Sequence, residues 1–367
     1  MVAVVAVLLI TGLSWSAAGQ IETLQIGEKA PDFNLPGVDG RNYRLADFAG
    51  ADILVVIFTC NHCPTAQAYE ERIKKLAADY KSKGVALVAI SPNDPKAVRL
   101  DELGYSDMSD SLEEMKIRTK DMGFNFPYFY DGDKQKVSQA YGPIATPHVF
   151  IFDKERKLRY VGRIDDSEKP KGVKSRDARN AIEALLAGRK VPVERTKPFG
   201  CSIKWSSKRD SVKKGFENWA KEAVAVEMVD ADGIRKLVEN NSGKLRLVYV
   251  WATWSSPSVT QLQEFVSINR MYRRREFELI IISADSPKRK DNVLSFLKKQ
   301  QASCRNYLFD SEDKYELMTA VDKDLLGGIP YTILIKPGGE IIYRRLGMIE
   351  PLELKKAIVG YLGRYYK

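Results

Sequence analysis

The amino-acid sequence predicts an α/β protein with two domains in tandem, each a central mixed β-sheet flanked by helices. Three observations carry the prediction. The chain has 367 residues, more than one ordinary hydrophobic core encloses. An apolar strand runs into a helix start at residues 55–64 and again at residues 245–258. Each half then continues with a helix, another apolar strand and a proline just before a further strand, at Pro147 and at Pro330. A strand, helix, strand order of this length makes βαβ units with parallel strands.

The composition is globular, with 44% hydrophobic and 29% charged residues. Lys and Arg total 58 against 48 Asp and Glu, a formal charge of +10. The basic residues are scattered over both halves and form no compact patch interleaved with aromatics, so a solvated basic surface is expected and nucleic-acid binding is not. Such a surface favours acidic partner proteins.

Met1 to Leu13 is almost wholly apolar and is followed by Ser14-Trp15-Ser16-Ala17-Ala18-Gly19-Gln20. An apolar core ending in small residues reads as a signal peptide over residues 1–19, although the usual positive start is missing. The run is brief for a membrane span, and membrane contact is expected only if the segment stays uncleaved. Export to the periplasm or the extracellular space is the expectation, and disulfides form and persist there.

The first domain is placed at residues 20–205. Short alternating runs around Phe33 to Leu45, separated by Gly and Pro, read as a hairpin leading into the central strand. Thr65 to Lys83 has helical periodicity through Tyr69, Ile73, Leu76 and Tyr80, and Val85 to Ile90 is an apolar strand. The stretch from Pro92 to Phe129 is too long for a simple connection, and its acidic middle, Tyr105 to Glu114, reads as a solvated loop or short helix unless it serves the site. Val149 to Asp153 is a strand, Lys157 to Arg163 its hairpin partner, and Ser175 to Ala187 a closing amphipathic helix.

The central strand ends in Cys60-Asn61-His62-Cys63-Pro64. A thiolate at a helix N-terminus is stabilised by unpaired backbone N–H groups and the helix dipole. Cys60 is therefore expected as the acidic, attacking thiol and Cys63 as the resolving one, able to close a small disulfide and reset by exchange. A partly protonated His62 between them would favour the thiolate. The same pair could be half of a zinc site or a structural disulfide, but the sequence holds no second Cys-x-x-Cys and no His-x-x-x-His.

The order Ala30-Pro31-Asp32-Phe33, Phe58 to Pro64, Ala145-Thr146-Pro147-His148, then Tyr160-Val161-Gly162-Arg163-Ile164-Asp165-Asp166 resembles the thioredoxin superfamily. More closely, residues 25–205 are similar to exported redoxins of the alkyl hydroperoxide reductase and thiol-specific antioxidant group. The resemblance implies a cis Pro147 lying against the disulfide, and a Thr146 whose backbone pairs with bound substrate. Peroxiredoxins place a threonine three residues before the peroxidatic cysteine; here Thr59 stands one before Cys60 and four before Cys63. Disulfide exchange is thus preferred over peroxide reduction. The two histidines, His62 and His148, are expected at one site if Pro147 packs on the disulfide, which leaves open a copper or zinc set like that of Sco-type copper chaperones. Those proteins space their cysteines by three residues rather than two. The bland reading of His148 is a side chain at the start of a strand. Cys201, in Gly200-Cys201-Ser202, is a candidate auxiliary thiol for resolving or shielding Cys60.

Residues 206–225 are expected as a linker, with a short helix starting near Phe216. In the second domain, residues 226–367, Trp251-Ala252-Thr253-Trp254-Ser255-Ser256-Pro257-Ser258 resembles the Trp-Cys-Gly-Pro-Cys signature of thioredoxins related to TlpA, with Ser255 and Ser258 at both cysteine positions. Serine hydroxyls cannot form a disulfide, so this half is expected to bind or to support, with Pro330 retained beside a groove for extended peptide. Cys304 is expected as a buried or free thiol.

The sequence thus reads as an exported thiol-disulfide oxidoreductase acting on protein thiols and disulfides, with an unidentified redox partner. No organic cofactor is expected, since neither common Gly-rich phosphate loop is present. Thiol peroxidase activity and copper binding stand as the alternatives.

Overall fold

Among the residues that the computed structural model describes, 21–324 and 327–366, two mixed sheets form with helices on both faces. The expected signal peptide lies outside the described residues.

The first sheet is preceded by the expected hairpin, β1 (Asn34–Pro36) against β2 (Asn42–Arg44), a small sheet of its own. Strand β3 (Ile53–Phe58) is buried along its whole length, which is why it reads as a continuous apolar run and not as an alternating one. Helix α1 (Pro64–Tyr80) follows and turns Tyr69, Ile73, Leu76 and Tyr80 onto the sheet at helical spacing. After β4 (Val85–Ser91) the chain makes the long insertion, which carries two single-turn helices and α2 (Leu112–Met122), and then β5 (Tyr128–Tyr130) and α3 (Lys136–Tyr141). Strands β6 (His148–Phe152) and β7 (Leu158–Gly162) form the second hairpin, and α4 (Asp177–Leu186) closes the domain. The strand order is β5-β4-β3-β6-β7, parallel from β3 to β5 and antiparallel from β3 to β7.

Residues 206–225 carry helix α5 (Arg209–Trp219), which begins earlier than the sequence suggests. This connection is packed on both sides. Arg209 pairs with Asp94 at 2.5 Å, and the Arg270 guanidinium lies over the Trp219 ring at 4.9 Å.

The second half adds β8 (Glu227–Val229) and α6 (Ala231–Glu239), then repeats the pattern with β9 (Leu245–Trp251), α7 (Ser256–Tyr272) and β10 (Phe277–Ser283). It continues through α8 (Lys290–Lys299), β11 (Arg305–Phe309) and α9 (Lys314–Val321), and ends with β12 (Tyr331–Ile335), β13 (Ile341–Leu346) and α10 (Pro351–Leu362). The order β13-β12-β9-β10-β11-β8 matches the first sheet, with β8 as an extra edge strand. No described helix is long and apolar enough to cross a membrane.

The insertion is not a solvated loop. Val98 and Leu103 are buried in the core of the second half. Around them, Arg364 clamps Asp107 through both guanidinium nitrogens at 2.6 and 2.8 Å, and Tyr272 Oη donates to the Ser106 carbonyl at 2.8 Å. Arg275 donates to the Gly104 carbonyl at 2.9 Å and stacks over the Tyr105 ring at 4.1 Å.

Candidate active site

Thr59 to Cys63 form the turn between β3 and α1. The helix begins at Pro64, whose missing N–H is no loss at the first helical position. Cys63, not Cys60, is therefore the N-cap: its backbone is extended, and its sulfur accepts the Ala66 N–H at 3.4 Å. The Cys201 N–H points at the same sulfur at 3.3 Å. Cys60 Sγ lies 3.2 Å from Thr146 Oγ1.

Burial opposes a charge on either sulfur. At Cys63 it is outweighed by hydrogen bonds from Cys201 and Cys60, by the charge on His62 and by the Ala66 N–H, and the pKa falls well below that of an ordinary thiol. At Cys60, burial, the bond to Cys63 and the negative charge of Asp110 all push the pKa well up. These contacts favour a thiolate on Cys63, whereas the sequence reading expects it on Cys60. The reason is position: the free N–H groups and the dipole act at the N-cap, and Cys60 lies ahead of the first turn.

His62 is brought to the pair as expected, and the fold supplies a partner that the sequence reading missed. His62 Nδ1 lies 2.6 Å from Asp110 Oδ2, with both side chains buried. Asp110 also accepts the Asn61 N–H at 2.8 Å, the His62 N–H at 3.1 Å and Asn93 Nδ2 at 2.7 Å. Burial works against both charges, but each partner's charge prevails, so His62 is raised and Asp110 lowered. The contact is thus drawn toward its ionic form, in which a protonated His62 favours the Cys63 thiolate. The available signal was the acidic run inside an insertion too long to be a simple connection.

His148 does not join the site. In β6 it pairs with Phe58, and period-two alternation sends its ring to the face of Phe150, opposite the face that α1 covers. Its Nδ1 accepts the Ile144 N–H at 3.3 Å, and burial, with Arg195 nearby, pushes its pKa down to about 3. The expectation of two histidines at one site is overturned. A metal-like cluster does exist, composed of Cys60, His62 and Asp110, whose ligand atoms lie within 4.8 Å of one another. His62 Nε2 is buried without a hydrogen-bond partner.

The bonds before Pro147 and Pro330 are both cis, as the resemblance implies for Pro147. The Thr146 N–H, which the resemblance reserves for a substrate, donates instead to the Cys201 carbonyl at 2.9 Å. Thus Cys201, Cys60 and Cys63 form one cluster.

In the second half, Ser258 Oγ donates to Ser255 Oγ at 2.9 Å, with both residues buried, so the serines hold the places of a dithiol without its chemistry. Beside them lies a cavity of about 450 Å³ lined by Trp254, Lys314, Tyr315, Met318 and Ile329. Cys304 is a free thiol that donates to Asn306 Oδ1 at 3.3 Å, and burial pushes its pKa up to about 12.

The Redoxin family profile matches residues 25–182, and the AhpC/TSA family profile matches residues 220–344. The chain belongs to the thioredoxin superfamily. Within this superfamily it carries two redoxin-type domains in tandem, the dithiol in the Redoxin half and the serine pair in the AhpC/TSA half. The thiol-disulfide oxidoreductase ResA of Geobacillus thermodenitrificans is 26% identical over 164 residues, which are 43% of this chain and 83% of that protein. A Mycobacterium tuberculosis protein named "Putative peroxiredoxin" is 30% identical over 145 residues, 39% of this chain and 80% of that one. Among solved structures, an uncharacterized conserved protein from Geobacillus kaustophilus shares 39% identity and covers 50% of this chain and 93% of its own, with a TM-score of 0.45.

Proposed function

We propose that this thioredoxin-superfamily protein is a thiol-disulfide oxidoreductase of protein substrates outside the cytoplasm, working through Cys60 and Cys63. One observation carries the reading: Cys63 caps α1 with two backbone N–H groups on its sulfur and a second cysteine beside it. Reduction of a substrate disulfide leaves Cys60 and Cys63 joined and releases two substrate thiols, and the reverse exchange oxidises a substrate dithiol. His62, charged through its pairing with Asp110, holds the thiolate. The relatives named ResA support the reaction class, and the apolar opening of the sequence supports export.

The second half acts as a brace. Its Arg364, Arg275 and Tyr272 hold the insertion that delivers Asp110 to His62.

Equilibrating the purified protein in glutathione buffers tests the reading. One reversible two-electron Cys60–Cys63 couple is expected, lost in Cys63→Ser; retained exchange in Cys63→Ser sinks the assignment. A second reading, metal carriage, rests on the Cys60, His62 and Asp110 cluster and the unpartnered His62 Nε2. Stoichiometric copper or zinc that blocks disulfide formation would favour it.

A further inference from the structure

Both cysteines of the pair are closed off, Cys60 at 3% and Cys63 at 0% relative exposure. An external protein sulfur therefore has no direct line to either. Cys201 is half-buried and packs against the same cluster, so that of the three sulfurs it belongs to the most exposed residue. Its strand is bound as an extended peptide would be: Thr146 N–H donates to Cys201 O at 2.9 Å, the two residues form an antiparallel bridge, and Cys201 N–H turns inward to Cys63 Sγ. The neighbouring residue has to be glycine. Gly200 has φ +140, and a Cβ there would lie 2.0 Å from the Thr146 carbonyl oxygen. Beyond it the segment is pinned, with Lys204 N–H on Asn93 Oδ1 at 2.8 Å and Lys204 Nζ on Glu102 at 2.6 Å.

Resting on the oxidoreductase reading, we propose that Gly200–Ser202 is a built-in substrate strand and that Cys201 is the third redox cysteine, carrying exchange between the buried pair and protein thiols at the surface. In the oxidised site the Cys201 thiolate attacks Cys63 Sγ. The Cys63–Cys201 bond forms as the Cys60–Cys63 bond breaks, and Cys60 leaves as a thiolate and takes the proton that Cys201 gave up. No net oxidation occurs in this step. A substrate thiolate then attacks Cys201, releasing the Cys63 thiolate. The substrate's second thiol resolves the mixed disulfide, leaving the substrate oxidised and the three cysteines reduced; the reverse sequence reduces a substrate disulfide. Cys63 is the hub in both directions, and each of the two sulfurs, Cys63 and Cys201, alters the other's affinity for a proton.

The test uses the full chain with Cys304→Ser, so that only the three clustered thiols remain. Cys60→Ser in that background, treated with oxidised glutathione and mapped without reduction, is expected to yield a Cys63–Cys201 crosslink. Glutathione retained on Cys63 with Cys201 untouched overturns the proposal. In Cys201→Ser the Cys60–Cys63 couple should still form reversibly, which tests the underlying reading separately, while transfer to a protein disulfide should slow by about tenfold or more. An unchanged transfer rate overturns the proposal. Gly200→Ala offers an independent variant: pushing the strand off Thr146 should depress the crosslink without removing any thiol, and an undiminished crosslink counts against the built-in strand.

Discussion

Asp110 shows how much one residue can decide. It accepts from His62 at 2.6 Å and raises the affinity of that imidazole for a proton, which in turn favours a thiolate at Cys63. Because the folded pKa of His62 is raised, its contribution to stability is fully present below about pH 6.5 and is lost as pH rises through the raised value. The folded pKa of Asp110 is lowered, so its contribution is present above about pH 3.9 and is lost as pH falls through the depressed value. Asp110→Asn leaves the imidazole without a counter-charge and is expected to cost about 3 kcal/mol between those limits. Urea unfolding as a function of pH should show the gap to the parent protein closing at both ends. A gap independent of pH would mean that the two side chains are not an ion pair. Thiolate absorbance provides a second readout, since the Cys63 pKa should rise in the same variant. The cysteines and both prolines were legible in the sequence because the motif is local. Asp110 was not, because it reaches His62 across 48 positions, and only the folded insertion brings them together.

The two strand-to-helix junctions carry the same four-residue spacing but start their helices at different positions of it. In the first, Pro64 marks where α1 begins, and that residue was the overlooked sign that Cys63 is the cap. In the second, the N-cap position falls on Ser255, the first residue of the pair, which makes no side-chain cap bond and accepts from Ser258 Oγ at 2.9 Å. The geometry for a dithiol therefore survives there. Ser255→Cys combined with Ser258→Cys is expected to close a second reversible disulfide, seen as two additional thiols lost on mild oxidation. Failure to close it while the fold is kept would show that the junction has lost more than its sulfur. Most strands and long helices were legible from apolar runs and periodicity. The short pieces β8, α6 and α9 were not, since few residues carry little pattern.

At the scale of the whole molecule, the core of the second half takes in Val98 and Leu103 from the first. Leu103 belongs by sequence to the first half and by packing to the second. Leu103→Ala should cost about 2–5 kcal/mol. Calorimetry is expected to show a single transition in the parent, moved to lower temperature in the variant; two independent transitions in the parent would refute this packing between the halves. The C-terminal tail continues the contact, with Tyr366 edge-on to Tyr105 at 4.9 Å. Burial first, and then the sulfurs of Cys201 and Cys63, push the Tyr366 hydroxyl up to about 12.

The doubly held insertion bears on how this protein can be cut and recombined. Ordering a stretch of that kind costs about 1–2 kcal/mol per residue in backbone entropy. Part of that cost is offset by contacts from the other half. A chain divided within residues 206–225 would keep the first sheet and all three clustered cysteines, yet Asp107 and Leu103 would lose what holds them. The boundary that looks like a seam in the sequence is not one for an engineer. A swap of the second half for a better thioredoxin would have to reproduce Arg364, Arg275 and Tyr272 before any gain in its own chemistry counted.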